Sequence, residues 1–92
     1  MSQIQQAGTP VNTTDTATVS KVSGSLLGFY VNSTSSGTLV FRQGAAGASS
    51  GAAISGTITP AIGFHAFPAY CVDGCHVTVG STINVTIFYA AG

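Results

Sequence analysis

The sequence predicts a small antiparallel all-β domain, and three observations carry that expectation. From Ala17 onward, short runs rich in Val, Ile, Thr, Phe and Tyr alternate in polarity, the two-residue period of strands with one buried face. Clusters of Gly, Ser and Asn interrupt these runs about every eight to twelve residues, as turns do in all-β chains. Helix has almost no foothold, because its best stretch, Gly44-Ala45-Ala46-Gly47-Ala48, is too short and glycine-rich to nucleate.

In chain order, residues 1–16 are polar, contain Gly8 and Pro10, and hold only Ile4 and Val11 as large aliphatics. They read as an N-terminal arm, which leaves 17–92 as a single β domain. Seven strands are predicted within it, over 17–23, 25–32, 37–43, 53–59, 64–72, 75–79 and 82–89. The last is the clearest: Ile83, Val85, Ile87 and Tyr89 fall on one face, and Thr82, Asn84, Thr86 and Phe88 on the other. By the same alternation Leu27, Phe29 and Val31 share an inner face, as do Leu39 with Phe41, Ile54 with Ile58, and Val77 with Val79. A second set, Leu26, Tyr30, Val40, Phe67 and Phe88, is placed outward. Exposed on a single chain these side chains would form apolar patches of the kind that mark interfaces, and with Ile4 and Val11 of the arm they are the candidate interface.

Turn chemistry supports these boundaries. The polar stretch 32–37 reads as a connection, 44–51 as a small-residue loop, and Pro60 ends a strand because it has no N–H for the ladder. Between Cys71 and Cys75 the sequence Val72-Asp73-Gly74 suits a three-residue hairpin with Gly in the left-handed position. A hairpin closed there sets Cys71 directly across from Cys75. The pair is then either two free thiols, the default in a reducing compartment, or a cross-strand disulfide.

Composition restricts function. Only four of the 92 residues are charged, Asp15, Lys21, Arg42 and Asp73, with zero net charge, while Ser and Thr fill 23 positions and Gly 12. A solitary soluble domain usually carries about a quarter to a third charged residues on its surface. A polar surface made of hydroxyls and backbone suits close packing against another protein, so the chain reads as a subunit. Two cations cannot make the footprint by which proteins neutralise nucleic-acid phosphates or hold anionic lipid, so neither nucleic acid nor membrane is expected as a partner. No run approaches the roughly 18 apolar residues needed to span a bilayer. The start of the chain lacks the basic and hydrophobic regions of a secretory signal, which points to synthesis and use in the cytoplasm, or export inside something larger.

Chemistry is sparse. Cys71, Cys75, His65 and His76 are metal-ligand types, but a structural zinc site wants a second closely spaced pair, so no metal is expected. His65 reads as a strand residue whose imidazole meets a neighbour's carbonyl. Glu is absent and the two Asp residues lie in the arm and at a hairpin tip, which leaves no carboxylate pair for acid–base work. No G-x-S-x-G elbow, Rossmann fingerprint or P-loop occurs. Neither catalytic residues nor a cofactor are expected, and the chain does not read as an enzyme. Tyr30, Tyr70 and Tyr89 suit cross-strand packing with the hydroxyl at the rim, and carbohydrate stacking is the alternative use of the same rings.

The stretches Leu26-Leu27-Gly28-Phe29-Tyr30-Val31-Asn32, Ser36-Gly37-Thr38-Leu39, Gly56-Thr57-Ile58-Thr59-Pro60-Ala61-Ile62-Gly63-Phe64-His65 and Ile83-Asn84-Val85-Thr86-Ile87-Phe88-Tyr89 together resemble small all-β proteins of tailed-bacteriophage virions and phage-derived gene transfer agents. These are capsid decoration (cement) proteins and head-fibre or spike components. The resemblance covers about residues 22–90 and rests on turn-and-strand patterns. It implies a small antiparallel β-sandwich, jelly-roll-like, of about seven to eight strands, assembling as a trimer or related symmetric oligomer. The expected partners are copies of the chain itself and the major capsid protein. The expected location is the outer capsid surface of a virion made in a host cytoplasm. The alternative within the same resemblance is a head-fibre or spike domain that binds host surface glycan.

Overall fold

The computed structural model describes residues 9–91, which are mostly antiparallel strand and contain no α-helix. Six strands, β1 (Thr9–Thr13), β2 (Ala17–Ser20), β3 (Gly24–Gln43), β4 (Ala52–Ala53), β5 (Gly63–Cys71) and β6 (Cys75–Ala91), join in one hydrogen-bonded sheet. The predicted runs 25–32 and 37–43 are the two halves of β3, and 75–79 and 82–89 are the two halves of β6. These two strands form a single ribbon, antiparallel from Gly24↔Ala91 to Gln43↔Cys75. The polar stretch 32–37, expected as a connection, therefore lies inside a strand. Its turn-forming residues bend the ribbon instead of ending it, with register shifts between Val31 and Ser33 and between Ser35 and Ser36, and positive φ at Ser36 and Ser81.

The bend is large. A straight strand of 20 residues would be about 66 Å long at about 3.3 Å per residue, yet the longest dimension of the molecule is 36 Å. The two halves of the ribbon accept different neighbours. On the first half, β5 pairs with β3 (Phe29↔His65) and β1 with β6 (Val11↔Ile87). On the second, β2 pairs with β6 (Ala17↔Val77) and β4 with β3 (Arg42↔Ala53). The predicted strand 53–59 is thus a two-residue strand plus an isolated bridge, Leu39↔Ile58, closed by N–H···O bonds of 2.9 Å in both directions.

Residues 1–16 were expected to form an arm. Of these, Thr9–Thr13 is an edge strand on β6, while residues 1–8, and with them the interface candidate Ile4, lie outside the described residues.

One buried cluster holds the core: Val19, Leu26, Phe29, Val31, Leu39, Phe41, Cys71, Cys75, Val77, Ile83, Val85, Ile87 and Tyr89. Leu26 is a correction, since alternation counted back from Phe29 places it outward and it is fully buried. The cause is a β-bulge between Leu26 and Gly28 in the ladders to both β5 and β6. Against β6 Leu27 is the extra residue, and against β5 it lies unpaired opposite Phe67 and Pro68; a one-residue insertion in β3 inverts every side chain before it. Leu27 is half-buried.

The turn Val72-Asp73-Gly74 is as tight as expected, with positive φ at Asp73 and Gly74. It does not close a hairpin, because among the described residues β5 makes its ladder with β3 alone. Cys71 pairs with Gly24 and Cys75 with Gln43, so the turn crosses between the two ends of the ribbon. Side chains from both ends fix it: the Val72 N–H donates to Gln43 Oε1 at 3.0 Å and the Asp73 N–H to Ser23 Oγ at 2.8 Å.

Candidate functional site: an uncharged aromatic and amide face

The first half of the ribbon with its two neighbours makes a four-strand surface whose outward residues follow from register, because residues paired across a ladder share a face. One row runs Asn12, Thr86, Tyr30, Phe64 across β1, β6, β3 and β5, and the next runs Pro10, Phe88, Gly28, Ala66. Tyr30 and Phe64 are 43% and 58% exposed. Gly28 lets the aromatic side chains lie low on the sheet: a Cβ there would meet the His65 carbonyl at 2.6 Å and the Phe64 ring at 3.0 Å. The Phe64 and Phe88 ring centroids are 6.2 Å apart. Neither row contains a charged residue.

Beside Tyr30 the polar side chains of three strands interlock. The Asn12 Nδ2 donates to Asn84 Oδ1 at 2.8 Å, Thr86 Oγ1 at 3.0 Å and the Val85 carbonyl at 3.2 Å. From the other side Asn32 Nδ2 donates to Asn84 Oδ1 at 3.2 Å and Thr86 Oγ1 at 3.1 Å. Two donors on Asn84 Oδ1 fix the orientation of that amide. Its NH2 has no hydrogen-bond partner among the described residues, and neither does the Oδ1 of Asn12 or of Asn32.

Of the interface candidates expected from sequence, this face unites Tyr30 and Phe88. Leu26 is buried, and Phe67 turns inward, its ring 5.3 Å from that of Phe41. Val11 packs against the core and lines a cleft of about 180 Å³ with Val19, Ser20, Tyr89 and Ala91. Val40 is half-buried on the far half of the ribbon, opposite Thr78. Sequence reasoning missed Phe64 and the amide cluster. The signal for Phe64 was the phase of β5: with Cys71 inward, alternation sends Tyr70, Pro68, Ala66 and Phe64 outward and Phe67 inward. Among the described residues six large apolar side chains are exposed, Val22, Tyr30, Ile62, Phe64, Tyr70 and Val72, and four of them lie on β5 or next to its ends.

The groups with a chemical character are held within the fold, with the buried Nε2 of His76 left without a partner among the described residues. Cys71 and Cys75 are free and fully buried, and burial raises the pKa of both. Beside them Tyr89 donates its hydroxyl to the Val22 carbonyl at 2.8 Å. Burial, reinforced by the two thiols, pushes its phenol up to about 12. Buried His76 sets Nδ1 3.1 Å from the Gly47 carbonyl. His65 stacks on Phe29 at 5.1 Å with Nε2 2.8 Å from the Ala61 carbonyl, the carbonyl contact expected of it. Arg42 donates to Thr78 Oγ1 and the Gly51 carbonyl, and Asp73 accepts from the Ala46 N–H at 3.2 Å. Among the described residues no three His, Cys, Asp or Glu side chains gather as a metal site, and no helix is long and apolar enough to cross a membrane.

Comparison with known proteins returns no match to this chain, whether with family models, curated proteins or solved structures.

Proposed function

We propose that this chain is a structural virion protein, a capsid decoration or cement protein that binds the outer surface of a phage head as a symmetric oligomer, a trimer in our reading, and stabilises it. The observation that carries the proposal is strand β5. Among the described residues it pairs on one side only, with β3, and it has no charge anywhere in Gly63–Cys71. Ile62, Phe64, Tyr70 and Val72 are exposed along it or at its ends. Soluble proteins blunt an open edge with charges, brevity or a covering element. β5 carries only Pro68 to that end, which fits an edge covered by another copy of the chain. Copies around a symmetry axis would turn weak contacts with the major capsid protein into firm attachment through effective concentration.

The architecture we infer alongside is a jelly-roll-like β-sandwich. Its layers are the two halves of the bent ribbon: β1, the end of β6, the start of β3 and β5 in one, and β2, the start of β6, the end of β3 and β4 in the other. Contact between the Phe29 and Phe41 rings, one from each half of β3, supports this reading.

The test is particle composition and strength. Purified virions should carry the chain in high copy number on the head, and heads lacking it should rupture at lower temperature. A few copies at a vertex, with unchanged head stability, would contradict the proposal. The second reading is a head-fibre or spike domain that binds host surface glycan, and the amide cluster beside Tyr30 favours it. There, loss of the chain should abolish adsorption and leave heads as stable as before.

A further inference from the structure

We propose that the Asn12, Asn32, Asn84, Thr86 and Tyr30 face binds a neutral carbohydrate, an inference that rests on the glycan reading and assigns it a site and a ligand class. The cluster is organised before any ligand arrives. Both flanking amides spend their NH2 groups on Asn84 Oδ1 and Thr86 Oγ1, at 2.8 to 3.2 Å. What remains toward solvent is an acceptor, Asn12 Oδ1, then a donor, Asn84 Nδ2, then an acceptor, Asn32 Oδ1. Sugar hydroxyls both donate and accept, so adjacent hydroxyls on one ring match this alternation. Because the amides are already held, little side-chain entropy is lost on binding.

Tyr30 supplies the second element. It is the cross-strand partner of Thr86 on one side and Phe64 on the other, and an aromatic ring set beside polar groups can stack on the C–H face of a pyranose. Strands lie about 4.8 Å apart, so the row from Asn12 to Phe64 spans about 14 Å, the scale of a short oligosaccharide. The ligand is neutral because nothing in the rows would compensate a carboxylate or sulfate: Lys21 lies in the bend after β2, and Arg42, on the far half of β3, is bonded to Thr78 and Gly51.

The experiment is a heteronuclear NMR titration of the full chain with maltotriose, cellotriose, chitotriose and N-acetyllactosamine, with sialyllactose as the acidic control. At least one neutral probe should shift the amides of Asn12, Tyr30, Asn32, Asn84 and Thr86 more than sialyllactose does. N84D keeps the oxygen that accepts from Asn12 and Asn32 but removes the outward donor, and Y30A removes the ring. Each should weaken binding at least tenfold with the thermal midpoint held close to that of the parent. Binding unchanged in both variants, or no binding by any neutral probe, overturns the inference. The broader glycan reading is judged separately by whether excess free chain blocks adsorption of particles to host cells, so the site and that reading can fail independently.

Discussion

Phe29 and Phe41 lie on the same β-strand, and their ring centroids are 5.4 Å apart. In a straight strand the interval between them would be about 40 Å at about 3.3 Å per residue. The contact is the internal signature of the bent ribbon, and it sits in a run of four rings, His65, Phe29, Phe41 and Phe67, that ties β5 to both halves of β3. Phe29→Ala and Phe41→Ala should each cost about 3–5 kcal/mol. The double variant should cost less than their sum by about 0.5–1.5 kcal/mol, the coupling of an aromatic pair. Urea unfolding of the four proteins of the cycle measures it, and strict additivity would mean that the rings do not act together.

The bulge at Leu27 makes a sharper contrast. Leu26 is fully buried while its neighbour is only half-buried. Leu26→Ala should therefore cost about 2–5 kcal/mol, and Leu27→Ala less than about 1.5 kcal/mol. Simple alternation from Phe29 predicts the reverse order, so equilibrium unfolding of these two variants decides which phase the strand has.

These two sites also mark how far the sequence could be read. Strand-forming residues were legible because Val, Ile, Phe and Tyr alternate strongly in β6 and in the second half of β3. The bend was visible only as a polar interruption. Whether Asn32 to Gly37 ends a strand or folds one over depends on β6 pairing with both halves, a long-range choice that local chemistry does not encode. A bulge leaves no mark in Leu26-Leu27-Gly28 beyond the glycine. The aromatic half of the candidate face was partly legible, through Tyr30 and Phe88. Its amide half was not, because Asn12, Asn32 and Asn84 converge only when β1 and β3 flank β6.

Alkaline pH should weaken the fold in a defined window. Folding holds the protons of Cys71, Cys75 and Tyr89 more tightly than the unfolded chain does. Their stabilising effect is whole below the unfolded pKa values and is lost as pH rises toward the folded ones. Stability should start to fall near pH 9, from the thiols with their ordinary value of 9.0, and fall further between 10 and about 12 as Tyr89 is drawn in. Tyr89→Phe should cost about 1 kcal/mol at pH 7, through loss of the bond to the Val22 carbonyl, and flatten the upper part of that fall. Urea midpoints across pH 7 to 11 give both results.

If β5 is the edge covered by another copy, the chain should sediment as an oligomer, with a trimer mass expected. Phe64→Lys with Tyr70→Lys should shift it to monomer, because like charges would then face each other where copies meet. Both side chains are more than half exposed, so the double variant should keep its circular dichroism spectrum. A folded parent chain that is monomeric at all concentrations would contradict this assignment.

The most direct test of the account is the salt resistance of attachment. A chain with two cations and two anions in 92 residues has little capacity for ion pairing, and salt screens only charge-based contacts. Heads carrying the protein, washed in about 1 M sodium chloride where the Debye length falls to about 3 Å, should retain it in undiminished copy number by quantitative gel or mass analysis. Release at moderate salt would contradict the claim that an uncharged surface, covered by its neighbours, holds this protein in place.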